Sequence, residues 1–316
     1  MTNKIVFMGT PDFAVESLKQ LIEAGHEIAA VVTAPDRPAG RGQKIRYSAV
    51  KQFALDHELD VLQPEKLKST EFNEALKKLN ADLFVVVAFR MLPEMVWSMP
   101  PKGTINLHGS LLPQYRGAAP INWAVINGEL ETGATTFFIE KEIDTGKIID
   151  NVTLPIQEED TAGTIHDKLM VKGASLLVKT VEAIFDGSAK AKPQKEFDLS
   201  NIRHAPKIFK ADCKIDWSNS TDYIFNKIRG LSPYPTAWTN IEMDGKVKSM
   251  KLFKVKRTVD GKDHSAAIKQ EGDQLFFGSV DGWVEILELQ LEGKKRMSAD
   301  AFLKGYDLTN AILLID

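Results

Sequence analysis

Residues 103–120 read GTINLHGSLLPQYRGAAP, an apolar run followed by a loop rich in glycine and proline. Side chains two positions apart on a strand point to the same face, so a strand that ends at His108 projects Asn106 and His108 together. The loop after the strand has turn residues at both ends and exposed leucines between them, which is typical of a loop that contacts an apolar ligand. The stretch therefore predicts a strand that ends in a polar pair beside a pocket.

Apolar runs alternate with helical patterns on both sides of this strand. Strands that alternate with helices are typical of a doubly wound, Rossmann-like parallel sheet, so we expect an α/β domain in residues 1–188. Thr10 and Pro11 are the expected cap and first residue of its first helix. The predicted strands are 4–8, 28–33, 83–88, 104–107, 135–140 and 147–152, and the predicted helices are 10–24, 48–57, 69–79, 120–127 and 161–185.

The turn after the first strand argues against a classical NAD site. It reads Gly9-Thr10-Pro11-Asp12, which is not the G-x-G-x-x-G fingerprint of dinucleotide-binding folds. Pro11 and Asp12 stand where a pyrophosphate needs close approach of the backbone and no negative charge. The sequence therefore disfavours an oxidoreductase.

The last third of the chain has a different pattern of apolar and polar residues. Residues 189–206 form a polar segment with several lysines around Pro193, which we interpret as a linker. Residues 207–316 contain short alternating runs separated by glycine turns, and these predict a small β-barrel of the OB type. Trp217 and Trp238 in this region are expected to anchor its core, with base stacking as the alternative.

Asn106 and His108 suit acyl chemistry, because ligands of open α/β sheets bind at the carboxyl ends of the strands. The amide of Asn106 can donate to an oxygen that becomes negative as a carbonyl turns tetrahedral. His108 can exchange a proton with an amine near neutral pH, and Asp144, in a turn after an apolar run, is a candidate to orient the ring. The alternatives are a structural histidine and an aspartate that only satisfies its own turn.

Several motifs resemble the tetrahydrofolate-dependent formyltransferases, and the likeness extends over nearly the whole chain. They are Asn106-Leu107-His108, the run Ser110–Ile121 with Trp123, Thr132-Gly133 and Asp144-Thr145-Gly146. Within the family the chain is most similar to the members that act on methionyl-initiator tRNA. The resemblance implies transfer of a formyl group from 10-formyltetrahydrofolate to an amine, with Asn106, His108 and Asp144 in the roles given above and without a metal ion.

The resemblance also implies a folate pocket. Its wall is expected from the loop after the central strand and from the turn after the strand 83–88, namely Ser110, Leu111, Leu112, Pro113, Arg90 and Leu92. Arg90 and Glu142 stand where glycine is expected in the family. These departures concern the contacts with the pterin ring rather than the reaction.

Residues 33–47 form a long connection with four basic side chains, Arg37, Arg41, Lys44 and Arg46. Long loops of this kind are usually functional or disordered, and a solvated loop is the alternative. In the family members that act on initiator tRNA, an inserted loop at this place enters the acceptor arm. The resemblance therefore implies that these four residues bind tRNA.

Basic residues are concentrated in one part of the chain. Residues 190–257 carry 15 lysine and arginine residues against 7 aspartate and glutamate residues, although the whole chain has a net charge of −3. Such a stretch indicates a phosphate-bearing partner, with a solvated lysine-rich surface as the alternative. The resemblance implies that the carboxyl-terminal domain, including Lys207, holds the tRNA through its phosphates.

Length and composition bound the remaining possibilities. A chain of 316 residues with 43% hydrophobic residues can bury two cores, and its one cysteine, Cys213, cannot form an internal disulfide. No apolar run approaches the roughly 18 residues of a membrane span, and the first apolar run is too short for a signal peptide. We therefore expect a monomeric cytoplasmic protein.

Two other functions fit parts of this pattern. A folate-dependent formyltransferase could instead use a small amine, such as an amino-sugar nucleotide, but the basic loop and the basic barrel would then have no purpose. A tRNA-binding protein without activity would not need Asn106, His108 and Asp144 together. The nature of the acceptor separates these alternatives from the first interpretation.

Overall fold

The first half of the molecule begins with a buried strand. The computed structural model describes residues 3–39, 44–308 and 310–314, and in it strand β1 (Lys4–Gly9) is buried over its last five residues. Gly9 is needed at the end of β1, because a Cβ there would lie 2.6 Å from the Cβ of Ala14. The chain therefore turns tightly from β1 into helix α1 (Asp12–Glu23).

The elements that follow alternate as expected for an α/β fold. The strands are β2 (Glu27–Val32), β3 (Arg37–Ala39), β4 (Lys44–Arg46), β5 (Val61–Leu62), β6 (Leu83–Val87), β7 (Thr104–His108), β8 (Arg116–Gly117), β9 (Glu131–Phe138), β10 (Ile148–Pro155) and β11 (His204–Ala205). The helices are α2 (Ala49–Asp56), α3 (Thr70–Leu79), α4 (Glu94–Trp97), α5 (Pro120–Ile126) and α6 (Ala162–Asp186).

Seven of these strands form one sheet in the order β10-β9-β7-β6-β1-β2-β5. β6 and β2 flank β1 in parallel, β7 pairs in parallel with β6, and β5 with β2. β9 runs antiparallel to β7 and places Phe137 opposite Asn106 and Thr135 opposite His108. The Rossmann-like sheet is confirmed, and the carboxyl ends of β1, β6 and β7 meet at one edge.

Serine caps explain where two of the helices begin. The hydroxyl oxygen of Ser48 accepts from the Lys51 N–H at 3.0 Å, and that of Ser69 accepts from the Phe72 N–H at 3.3 Å. The first helix departs from the prediction by one residue, because Pro11 is its cap and Asp12 its first residue. A proline in extended conformation can hold this position without a side-chain bond.

The connection 33–47 is more ordered at its ends than predicted. β3 and β4 pair antiparallel, with Arg37 opposite Arg46 and Ala39 opposite Lys44. The sequence did not indicate these strands, because three residues on each side carry too short a pattern to predict a small hairpin. Arg41 lies outside the described residues.

The chain forms two compact units. The first unit comprises Met1–Pro120, Thr132–Leu154 and His166–His204, and the second comprises Ile121–Glu131, Pro155–Ile165 and Ala205–Asp316. The expected bounds at residues 188 and 206 stay predictions. Leu169 and Leu177 of α6 are fully buried, as their helical spacing predicts.

The second unit is built on an antiparallel sheet in the order β14-β15-β16-β13-β12-β18, with β17 beside β16, as expected for the OB-like barrel. Its elements are α7 (Thr221–Leu231), β12 (Ala237–Met243), β13 (Lys246–Val259), β14 (Ile268–Glu271), β15 (Gln274–Ser279), β16 (Gly282–Leu291), β17 (Met297–Ser298), α8 (Ala299–Leu303) and β18 (Ile312–Leu313). Trp217 is completely buried in its core and donates to the Thr239 hydroxyl at 2.9 Å. The core role of Trp217 is confirmed.

Candidate active site

His108 and Asp144 meet at the edge of the first sheet. The imidazole Nδ1 of His108, the last residue of β7, lies 3.8 Å from Oδ2 of Asp144, and both side chains are largely buried. Asn106 precedes His108 by two residues on the same strand, so both project to one face. The structure therefore brings His108 and Asp144 together and leaves Asn106 on the same side of the sheet.

The other ring nitrogen of His108 determines which atom can take up a proton. Its Nε2 lies 2.9 Å from the carbonyl oxygen of Tyr115, and a carbonyl can only accept, so we assign the hydrogen to Nε2. In the neutral ring Nδ1 then carries the free electron pair and faces Asp144. The Tyr115 carbonyl, which sequence reasoning missed, therefore contacts one ring nitrogen, and Asp144, the predicted orienting residue, faces the other.

Asp144 is held in an uncommon backbone conformation. Its φ of 55° lies in the left-handed region, which a non-glycine residue adopts only where its surroundings impose it. Its Oδ2 accepts from the Gly117 N–H at 2.9 Å, which fixes the carboxylate beside the ring. Gly146 in the same turn leaves no room for a side chain, since a Cβ there would lie 1.7 Å from the Phe138 carbonyl oxygen.

Asn106 is half-buried between Val86 of β6 and Phe137 of β9. Within the described residues, no hydrogen bond engages its side-chain amide. An amide in this position costs free energy unless a ligand or solvent satisfies it. Its donors are therefore available to a substrate oxygen at the end of the strand.

The loop of residues 109–117, here called the site loop, is tied down by its own hydrogen bonds. Ser110 is fully buried, and its hydroxyl donates to the Gln114 carbonyl at 2.6 Å. The Thr135 hydroxyl on β9 donates to the Ser110 carbonyl at 2.6 Å and accepts from the Leu112 N–H at 3.1 Å. Ser110 and Leu112 therefore shape the loop from inside.

The apolar residues of the site loop differ in how deeply they are buried. Leu112 is buried against Phe137 and Ile148, and Pro113 is also buried. Leu111 is half-buried, and it approaches Gly133 so closely that a Cβ there would lie 2.4 Å from its Cδ2. Leu111 is therefore the more accessible of the two leucines to a bound ligand.

The segment 189–204 holds the site loop and the Asp144 turn, which sequence reasoning also missed. Gln194 is buried and bonds to Asp144, Gly146 and Arg116. Arg203 accepts through its carbonyl from the Tyr115 N–H at 2.7 Å. The sequence offers little signal for this, because a single glutamine among lysines is also typical of a solvated linker.

The arginine in the turn after β6, Arg90, forms hydrogen bonds within the protein. The guanidinium of Arg90 donates to the carbonyls of Pro64 and Glu65, the latter at 3.1 Å. Burial lowers the pKa of Arg90 below its ordinary value, and the neighbouring Arg37 lowers it further. Leu92 is buried in the core of the first unit. The side chain of Arg90 thus supports the turn, and its backbone remains the part that can face a ligand.

The β3–β4 hairpin is anchored at its base. Asp36 accepts from the Lys51 ammonium at 2.5 Å and from the Gln63 amide at 2.8 Å, and these bonds lower the pKa of Asp36. Arg37 and Arg46 are exposed above this base. Two of the four predicted tRNA-binding side chains are therefore described, whereas Arg41 and the side chain of Lys44 lie outside the described part.

Basic side chains in the second unit surround an aromatic ring. The ammonium groups of Lys210 and Lys214 lie 6.0 and 5.8 Å from the centre of the Trp238 ring. Lys207 is exposed, with its ammonium 5.3 Å from the Phe209 ring. Trp238 packs partly on the core and donates to the Lys210 carbonyl at 2.9 Å. This surface fits phosphate contacts.

Among residues 3–39, 44–308 and 310–314, no group of three or more histidine, cysteine, aspartate and glutamate side chains could hold a metal ion. In the same residues, no helix combines the length and the apolar character that crossing a bilayer requires.

Comparisons with known proteins give a consistent result. The family model described as formyl transferase matches residues 3–181, and the model of its C-terminal domain matches residues 207–307. A methionyl-tRNA formyltransferase of Bacteroides fragilis is 53% identical over 314 residues, which cover 98% of this chain and 96% of the relative. A methionyl-tRNA formyltransferase of Flavobacterium psychrophilum is 48% identical over 304 residues, 96% of either chain.

Solved structures share the fold at lower identity. An N-formyltransferase from Helicobacter canadensis, in complex with folinic acid and dTDP-3-aminofucose, matches with a TM-score of 0.65 at 20% identity, covering 94% of this chain and 100% of that chain. HypX from Aquifex aeolicus, in complex with tetrahydrofolic acid, matches with a TM-score of 0.63 at 19% identity, covering 97% of this chain and 47% of that chain.

Proposed function

The chain belongs to the formyl transferase family, and on that premise we propose that it is the enzyme that formylates methionyl-initiator tRNA. It moves a formyl group from a folate carrier to the α-amino group of methionine esterified to the tRNA. The observation that carries the proposal is the pairing of His108 and Asp144, whose Nδ1 and Oδ2 atoms lie 3.8 Å apart. The chain that holds this pair aligns along nearly its whole length with methionyl-tRNA formyltransferases.

The reaction replaces one carbon–nitrogen bond by another. The amine nitrogen attacks the formyl carbon of 10-formyltetrahydrofolate, and the carbonyl oxygen becomes negative in the tetrahedral intermediate. The bond from the carbon to N10 then breaks. The amine gives up one proton and N10 takes up one, so the products are formylmethionyl-tRNA and tetrahydrofolate.

Asn106, His108 and Asp144 perform these steps in the proposed mechanism. The Asn106 amide donates to the formyl oxygen as it becomes negative, a contact worth about 3–4 kcal/mol when it is lost. Nδ1 of His108 accepts the proton of the attacking amine. The Asp144 carboxylate faces that nitrogen and stabilises the charged ring. The hydrogen bond from the His108 Nε2 to Tyr115 supports this assignment of Nδ1.

The folate carrier occupies the wall formed by the site loop and the turn after β6. Leu111 supplies accessible apolar surface, and the buried Ser110, Leu112 and Pro113 hold the loop in shape. Backbone groups next to Arg90 and Leu92 complete the wall, since the Arg90 guanidinium is engaged with residues 64 and 65. The N10-formyl form of the carrier is part of this proposal.

The tRNA is held by basic side chains in both units. Arg37, Arg41, Lys44 and Arg46 on the β3–β4 hairpin bind the acceptor arm, and Lys207 of the second unit contacts phosphates. Protein synthesis places this activity in the cytoplasm, and one chain carries all the residues that the mechanism uses, so a monomer suffices.

A choice among acceptors tests this function. The native chain is supplied with 10-formyltetrahydrofolate and, in separate reactions, methionyl-initiator tRNA, methionyl-elongator tRNA and a dTDP-amino sugar. We expect turnover with the initiator tRNA and little with the other two. Turnover with the amino sugar alone would establish the small-amine alternative, and tRNA binding without turnover would establish an inactive binding protein.

Matched variants test the residues. His108→Ala is expected to abolish transfer to every acceptor. Arg37→Ala is expected to raise the KM for initiator tRNA. It should also reduce the slope of log affinity against log salt concentration by about one. Lys68→Ala, at an exposed lysine of the same unit, is the control and should change neither. An equal response of Arg37→Ala and Lys68→Ala would contradict the role of the hairpin.

A further inference from the structure

Gln194 uses its whole side-chain amide inside the protein. It is buried in a segment that is otherwise polar and largely exposed. Its Nε2 donates to the carbonyls of Asp144 at 2.8 Å and Gly146 at 2.9 Å. Its Oε1 accepts from Nε of Arg116 at 3.0 Å and from Nη2 at 2.5 Å. Both halves of the amide therefore have partners, all of them next to the catalytic groups.

The two carbonyls that Gln194 binds enclose the Asp144 turn. Asp144 has a left-handed backbone, which is strained for a residue with a side chain and persists only where neighbours impose it. One donor group that binds residues 144 and 146 together imposes this shape. Gly146 packs against the Phe138 carbonyl, since a Cβ there would lie 1.7 Å from its oxygen, so the turn cannot move toward that carbonyl.

Arg116 connects the same amide to the site loop. A guanidinium that donates to the amide oxygen polarises the amide and strengthens the bonds that its N–H groups make. The residue after Arg116 is Gly117, whose N–H binds the carboxylate of Asp144 at 2.9 Å. Arg116, Gln194, Asp144 and Gly117 thus form a closed ring of contacts, in which Gln194 fixes the backbone of Asp144 and Gly117 fixes its carboxylate.

We propose that Gln194 is a positioning residue for formyl transfer, which sets the Asp144 carboxylate against Nδ1 of His108 through the turn of residues 144–146. The proposal rests on the function given above. Gln194 lies 50 residues from Asp144 in a segment that reads as a linker. It touches neither the substrate nor the folate in this role.

The test uses a substitution that keeps one half of the amide. Gln194→Glu retains the volume and an oxygen that accepts from Arg116, but it removes both N–H donors to the turn. We expect kcat to fall on the order of 10²-fold, because a displacement of about 1 Å at a reacting group has that effect. The KM values for folate and tRNA should stay within twofold. Gln52→Glu, at an exposed glutamine of α2, is the matched control.

A cycle with Asp144 separates positioning from a general structural role. If Gln194 acts through the carboxylate, Gln194→Glu should cost less than about threefold in an Asp144→Asn background. Equal losses in the two backgrounds, or native kcat in Gln194→Glu, would overturn the proposal. Should Gln194→Glu not fold, Gln194→Met, which fills the same volume without donors, goes through the same cycle.

The acceptor is chosen so that the two proposals fail separately. The native chain is measured first with methionyl-initiator tRNA, and a lack of turnover there would refute the substrate assignment alone. The cycle is then run with whichever amine the native chain formylates, since the Gln194 contacts concern Asp144 and not the acceptor.

Discussion

The site loop and the β3–β4 hairpin lie in the same unit, and their described residues are held by different sets of bonds. The site loop is bonded along its length, to Thr135 of β9 and to Gln194 and Arg203 of a distant segment. The hairpin is bonded at its base, where Asp36 meets Lys51 and Gln63. Among the described residues, the site loop is bonded at many points, whereas the hairpin is bonded at its base and its Arg37 and Arg46 side chains are exposed.

The difference follows from what each segment has to do. Acyl transfer requires reacting atoms within a few tenths of an ångström of their places, so the groups around His108 and Asp144 must be held from several sides. Attraction between an arginine and a phosphate acts over several ångströms and tolerates different geometries. Substitutions in the first segment should therefore lower kcat, and those in the second should raise KM for the tRNA.

After His108→Ala, the largest effect is expected from Asn106→Ala. Loss of one donor to a developing oxyanion lowers kcat roughly 10²- to 10³-fold. Since no hydrogen bond of the described residues engages this amide, the melting temperature should change little. Steady-state formylation and thermal unfolding measure the two quantities. A kcat near the native value would mean that the oxygen is stabilised elsewhere.

Gly146→Ala should come next. A Cβ at this position would meet the Phe138 carbonyl at 1.7 Å, so the turn that carries Asp144 has to move, and we expect kcat to fall on the order of 10²-fold. Gly25→Ala is the matched control, because Gly25 has a φ of +81° with open space around it. Gly25→Ala should cost about 1–2 kcal/mol of folding free energy and leave kcat unchanged. Equal kcat values for the two variants would break the comparison.

Lys51→Ala tests the base of the hairpin. It removes the ammonium that binds Asp36 at 2.5 Å and that lies 4.0 Å from the Tyr47 ring. We expect the KM for initiator tRNA to rise roughly 3- to 10-fold, as for the loss of one charged hydrogen bond. The kcat at saturating tRNA should be retained, because the site loop is untouched. A fall in kcat without a change in KM would show that the hairpin acts on the chemistry.

The smallest effect is expected from Glu142→Gly. Glu142 departs from the glycine expected in the family, but its side chain is exposed, and its carbonyl accepts from the Thr145 hydroxyl at 3.0 Å. We expect kcat and the folate KM within about twofold of native and a stability loss of roughly 0.5–1 kcal/mol from the added backbone freedom. A larger change in the folate KM would assign the Glu142 side chain to the pterin pocket.

Patterns in the sequence predicted the sheet because its strands are continuous apolar runs. Residues 83–87 are buried throughout β6, and β7 ends at His108 as expected. The helix α7 was not predicted, although Ser220 caps it and Ile224 and Ile228 lie at helical spacing. Gly230 near its end obscured the pattern, and it is needed because a Cβ there would lie 2.5 Å from Ile126.

The catalytic residues could be found because they lie in motifs, but their supports could not. Asn106, His108 and Asp144 were identified from strand periodicity and resemblance, whereas Gln194 and the Tyr115 carbonyl act through tertiary contacts that no local pattern encodes. A backbone carbonyl has no sequence signature, and a buried glutamine in a polar segment looks like a solvated one. The resemblance places Arg90 in the turn beside the folate pocket, but it could not show that the guanidinium bonds to Pro64 and Glu65.

In the proposed mechanism His108 and Asp144 act together on one reacting amine. The direct test is the single-turnover rate of formyl transfer to methionyl-initiator tRNA for Asp144→Asn, measured in the native chain and in His108→Ala. We predict a loss on the order of 10²-fold in the native chain and less than about threefold in His108→Ala. The same fold loss in both would mean that Asp144 works independently of the imidazole, and it would contradict the mechanism.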